Sequence, residues 1–110
     1  MAELPRCLLI VTAEVDAEVE AEWNRWYDAV HVPDVLRCKG VRGGRRYVSA
    51  GDVSESVRGK TDRSRRRIYT AIYELDSPEA TTTAEFQAMR GWHQFAPHVR
   101  SRTFAVLPTS

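Results

Sequence analysis

The chain has 110 residues, with 16 Lys and Arg against 15 Asp and Glu, a formal net charge of +1, 43% hydrophobic and 28% charged residues. That length makes one domain, 1–110, with a modest core, and the even charge argues against nucleic acid as the main partner. The longest apolar run, Cys7 to Val11, is too short to cross a bilayer and the start lacks a signal-peptide pattern, so no membrane partner and a cytoplasmic location are expected.

Cys7 to Ala13 is a short apolar run with β-branched residues and reads as a strand. Cys7 and Cys38 make no disulfide framework, and a buried, reduced Cys7 is expected. Asp16 is placed to cap a helix whose first turn holds Glu18 and Glu20. Val19, Trp23, Trp26, Tyr27 and Val30 then recur at helical spacing, which predicts an amphipathic helix over about 17–30. Pro33 ends that helix and opens a new short turn from Pro33 to Cys38, with Asp34 at its start and Gly40 at its end.

Val41 to Ser49 reads as a second strand, in which Gly43-Gly44 predicts a bulge or a close backbone approach. Residues 50–65 are polar and predict a flexible hairpin loop. The basic run Arg58, Lys60, Arg63, Arg65, Arg66, Arg67 has no aromatic interleaved before Tyr69, so it reads as a solvated loop; a partner-docking loop is the alternative. Arg67 to Leu75 is a strand rich in β-branched and aromatic residues. Ser77-Pro78-Glu79 starts a second helix carrying Phe86, Met89 and Trp92, with a possible break at Gly91. Thr103 to Leu107 is the last strand.

The order β-α-β-β-α-β predicts an α+β, ferredoxin-like fold, with a four-stranded antiparallel sheet and helices on one face. Both alternating sets of the first strand are apolar, and the strand from Arg67 is apolar on both sides too. Two helices cover one face only, so the other is expected to meet a second copy, giving a homodimer.

W-Y-D-x-x-H-x-P-D from Trp26, G-V-x-x-x-R-R-Y from Gly40 and I-Y-x-A-I-Y-E-L-D-S-P-E-A from Ile68 resemble the dimeric α+β barrel superfamily, in its EthD-like corner. The likeness runs from about Leu8 to Leu107. It implies a homodimer whose two sheets face each other as a barrel, with a pocket in each subunit between sheet and helices. Relatives include cofactor-free monooxygenases, polyketide cyclases, muconolactone isomerases and haem-binding members, so the resemblance implies where chemistry occurs more than which reaction.

His31 lies four residues after Tyr27 and three after Asp28. Its imidazole suits general acid–base work or a helix C-terminal cap; the resemblance, which places it in the motif, favours the pocket. Tyr27 is grouped with it as catalytic. Asp28 is a candidate to orient its ring, and Asp34 is a cap or a hydrogen-bond partner of His31. Trp23 and Tyr27 serve either as core or as flat pocket walls, with Trp26 at the edge of their stripe. Met89 on the second helix is taken as substrate-binding, and Trp92 and His93 fall near the expected pocket mouth, His93 as a second acid–base candidate, whereas His98 reads as surface. Tyr69 and Tyr73 share a strand face, and one of Arg45 and Arg46 points inward, Arg46 being taken as the substrate-binding one.

No phosphate loop, nucleophile elbow, Cys-x-x-Cys pair or zinc spacing is present. The leading expectation is therefore an enzyme with no cofactor and no metal, acting on a hydrophobic aromatic or polyketide-like small molecule in secondary metabolism or aromatic degradation. His31 would drive cyclisation, isomerisation, dehydration or decarboxylation. The alternatives are a cofactor-free monooxygenase and a non-catalytic carrier or sensor.

Overall fold

The computed structural model describes residues 4–110. Strands β1 (Leu8–Val15), β2 (Val41–Val48), β5 (Tyr69–Leu75) and β6 (Val99–Val106) form an antiparallel sheet in the order β2-β5-β1-β6, and β3 (Val53–Val57) and β4 (Lys60–Ser64) form a separate hairpin. Residues 50–65, expected as a loop, thus hold a paired ribbon. Arg58 and Gly59, with φ of 51° and 83°, make its two-residue turn, the positive-φ geometry that matches strand twist. The chain is α+β, and no helix among the described residues is long and apolar enough to cross a membrane.

Register sorts the sheet's side chains without ambiguity. Leu9 pairs with Tyr73 and Ala105, Val11 with Ala71 and Thr103, and Ala13 with Tyr69 and Ser101, while Arg46 sits opposite Ala71. These residues share the face toward the helices, where Leu9, Val11, Ala13, Tyr69, Ala71 and Tyr73 are buried in the core with Trp23, Tyr27, Val35, Phe86 and Phe95. Tyr69 and Tyr73 therefore both point inward, and of the two arginines Arg46 does. The opposite face carries half-buried Leu8, Ile10 and Ile72, with Phe104 and Tyr47 left 44% and 52% exposed. This is the uncovered apolar face anticipated from the two-sided strands.

Between β1 and β2 the helical run differs from expectation. A 3-10 turn Ala17–Val19 leads into α1 (Glu20–Trp26), a π-helical turn Tyr27–His31, and α2 (Val32–Leu36). Asp16 makes no side-chain cap to this run; its carboxylate faces His98 at 3.0 Å. Pro33 does not end the helix. Val32 donates its N–H to the Tyr27 carbonyl five residues back, and this wider turn lets Pro33 fall in the opening turn of α2, where its missing N–H is not needed.

The second crossover is broken into a 3-10 turn Pro78–Thr82, α3 (Ala84–Ala88) and a 3-10 turn His93–His98. Ser77 makes no side-chain cap. Thr83 does, accepting the Phe86 N–H at 3.2 Å. The last strand is longer than expected, since it begins at Val99.

The β2 glycines do what their position implied. Register shifts between Val41 and Gly43, a bulge, and a Cβ on Gly44 would lie 2.2 Å from Tyr73 Cδ1 and 3.1 Å from the Ile72 carbonyl oxygen. Tyr73 is 1% exposed and has nowhere to retreat. Gly44→Ala is expected to cost about 1–3 kcal/mol, the usual penalty for overpacking, read as a Tm lowered by several degrees. Gly43→Ala, where a Cβ would meet nothing within 4 Å, should unfold close to the wild-type temperature.

Candidate functional site

The spacing 23, 27, 31, 35 builds the site. A regular α-helix turns about 100° per residue, so a four-residue series drifts by about 40° at each step. The wide turn Tyr27–His31 offsets that drift. Trp23, Tyr27 and Val35 are all buried, and His31 between them is half-buried. Val30, which ideal periodicity puts inward, is instead 46% exposed.

His31 enters an aromatic cluster. Its ring stacks on Trp26 at 5.0 Å and 23°, meets Tyr27 edge-on at 5.1 Å, and lies 5.7 Å from Trp92. It forms one wall of a cavity of 190 Å³ between the sheet and the broken crossover. Leu9, Val11 and Tyr73 make the floor; Val35, Phe86, Met89 and Trp92 make the apolar sides; Ser101 and Thr103 of β6 close one edge. Trp92 is held across that edge by its indole N–H, which donates to Ser101 Oγ at 2.9 Å.

Electrostatics favour an uncharged site. Burial lowers the His31 pKa from 6.5, with His93 and Arg46 pushing the same way and Asp34 opposing. The imidazole is thus neutral at pH 7, and no hydrogen bond to its ring is found among the described residues. Burial pushes the Tyr73 phenol up to about 12, with the neighbouring Tyr27 hydroxyl and Arg46 opposing. The Tyr73 hydroxyl is fully buried beside that of Tyr27, though the two make no hydrogen bond of regular geometry. Tyr27 is also driven upward by burial, so both phenols stay protonated.

Not every expected site residue reaches the cavity. His31, Tyr73, Met89 and Trp92 line it. Trp23 is fully buried and packs edge-on against Tyr27 and Tyr69, at 5.2 and 5.1 Å, which makes it core. Tyr27 sits behind His31, and Tyr69 donates to Glu20 and accepts from Asn24 at 3.1 Å. Arg46 points inward but stays under the helix. Its Nη1 donates to Asp28 and its Nη2 to Asn24, both at 2.7 Å, and its guanidinium lies 4.0 Å over the Tyr27 ring. Asp28 therefore holds Arg46 and leaves the His31 ring unoriented. Asp34 pairs with Arg37 and makes no hydrogen bond to His31. His93 is exposed, 5.6 Å from Trp26.

Leu9, Val11, Val35, Phe86, Arg90, Gly91, Ser101 and Thr103 were missed. The first four looked like ordinary core, Arg90 and Gly91 like a solvated helix end, and the β6 pair faces the cavity only because the broken crossover leaves that edge of the sheet uncovered. Asp16, Glu18 and His98 bring ligand-type atoms within 4.8 Å of one another. His98 already pairs with both carboxylates, at 3.0 and 3.6 Å, on an exposed surface remote from the cavity walls.

No curated protein matches this chain. A solved structure, an ethyl tert-butyl ether D (EthD) family protein from Bacillus halodurans C-125, is 14% identical, with 89% of this chain and 96% of that one covered at a TM-score of 0.55. That likeness is one of fold, and it agrees with the EthD-like resemblance of the motifs. Residues 6–91 match the family model described as Domain of unknown function (DUF4286). With most of its length under that model, the chain belongs to the DUF4286 family.

Proposed function

We propose that this protein is a cofactor-independent enzyme of the cytoplasm that performs proton-transfer chemistry on a hydrophobic small molecule, with His31 as the general base and acid. The observation that carries the reading is a neutral imidazole, without a hydrogen-bond partner, on the wall of a largely apolar cavity. A neutral imidazole accepts a proton from a ligand O–H, or from a C–H beside a carbonyl, and returns it elsewhere on the molecule. Isomerisation, cyclisation, dehydration and decarboxylation all share that step. Stacking on Trp26 and edge contact with Tyr27 restrain the imidazole, so little reorganisation is needed at the moment of transfer.

The working unit in this reading is a homodimer that buries the open sheet face. Phe104 and Tyr47 on that face are 44% and 52% exposed, and half-buried Ile10 and Ile72 extend the patch. Light scattering coupled to size exclusion should give twice the chain mass of 12.5 kDa at micromolar concentration; a monodisperse single-chain species contradicts the dimer.

Native mass spectrometry of the purified protein identifies a retained ligand on which turnover is then followed. His31→Gln should lower kcat by about 10²- to 10⁴-fold while leaving the oligomer and the circular dichroism spectrum unchanged. Full activity in the folded variant, or recovery of the ligand unaltered from the wild type, contradicts the catalytic role.

A further inference from the structure

We propose that the cavity takes a neutral, single-ring compound, a phenol or cyclic enol with only small substituents, its oxygen toward His31 and its ring against Trp92; this rests on the functional reading above, since it names the ligand class of that same site. Size decides first. The volume of 190 Å³ lies a little above the roughly 150 Å³ of an apolar protein cavity that binds benzene. The cavity opens to solvent past the exposed Arg90, Gly91, Ser101 and Thr103, so a second fused ring stays against the apolar walls only if one of them moves. Phe86 is 5% exposed and packed into the core. Met89, half-buried against that core with its sulfur 4.0 Å from Cys38 Sγ, is the flexible apolar side chain on that wall.

Charge decides next. Among the described residues, the only permanently charged side chain on the cavity wall is Arg90, which is exposed and donates to Gln87 Oε1 at 3.4 Å. Arg46, the buried guanidinium, is engaged by Asp28 and Asn24 beneath the helix. An ionised ligand would meet only the solvent-exposed Arg90 guanidinium, too screened to repay desolvation against the apolar walls. A neutral O–H or carbonyl, by contrast, satisfies the unpaired ring nitrogen of His31.

Isothermal titration near neutral pH with 4-methylphenol, toluene, 1-naphthol and 4-methylbenzoate tests this on wild-type protein and on Met89→Ala and His31→Gln. Wild type should bind 4-methylphenol, bind 1-naphthol about tenfold more weakly, and show no heat with 4-methylbenzoate. Met89→Ala, by removing the flexible wall, should erase or reverse the preference for the smaller ring. His31→Gln should weaken 4-methylphenol while leaving toluene binding unchanged. Wild-type binding of 1-naphthol as tight as or tighter than 4-methylphenol, comparable binding of the benzoate, or no phenol binding overturns the proposal. The two readings separate cleanly. Phenol binding without any turnover upholds the ligand class against the catalytic role, and turnover of a fused-ring substrate does the reverse.

Discussion

The widened turn from Tyr27 to His31 governs where everything else in this domain can be. A proline six residues after Tyr27 would kink or stop a regular helix, because it lacks an N–H and its ring crowds the carbonyl one turn back. Here the Val32 N–H reaches the Tyr27 carbonyl five residues back, and the chain passes through Pro33 into α2 without a break. The consequence is rotational. One extra residue in the turn aligns 23, 27, 31 and 35, turning His31 toward the sheet and Val30 out to solvent. π-turns recur at functional positions for this reason: they place a side chain that helical regularity would point elsewhere.

Arg46 anchors the same helix from below. Its fork engages Asn24 and Asp28, on successive turns, while its plane rests against the Tyr27 ring. The charge is nearly enclosed, its side chain 12% exposed against 67% for Asp28, so this is a half-solvated pair whose geometric role exceeds its energetic one. It reaches the imidazole only through the field, helping to keep His31 neutral. Gly44 complements it on the same strand, giving Tyr73 the space to lie flat beneath the cavity.

Much of the fold was legible in the chain. Alternation in β1 and β5, the paired glycines of β2 and the Ser-Pro-Glu start all correspond to real elements, and strand parity announced a sheet with two apolar faces. The misreadings share one cause. Sequence periodicity assumes ideal helices, so it turned Val30 inward, stopped the helix at Pro33 and drew the second crossover as one helix where three short pieces exist. The site was half legible. His31, Tyr73, Met89 and Trp92 come together, but nothing local to Arg46, Asp28 or Asp34 disclosed that each would be taken by another partner. Ser101 and Thr103 become cavity residues only through a gap in the layer above them, a tertiary fact without a local signal.

Family membership and the shared EthD-type architecture establish the fold, while the proposed chemistry follows from the state of one ring. If burial keeps the His31 imidazole neutral beside an apolar cavity, it is a base available at physiological pH. Its depressed pKa also means that the unfolded chain takes up the proton first, so His31 withdraws stability as the pH falls below 6.5. The most direct measurement is an NMR titration of the His31 ring carbon-bound protons, assigned with His31→Gln, in the presence and absence of 4-methylphenol. A midpoint below 6.5, with His31 resonances displaced by the phenol, is the predicted result. A midpoint at or above that value, with no response to the phenol, would contradict a neutral base on the cavity wall.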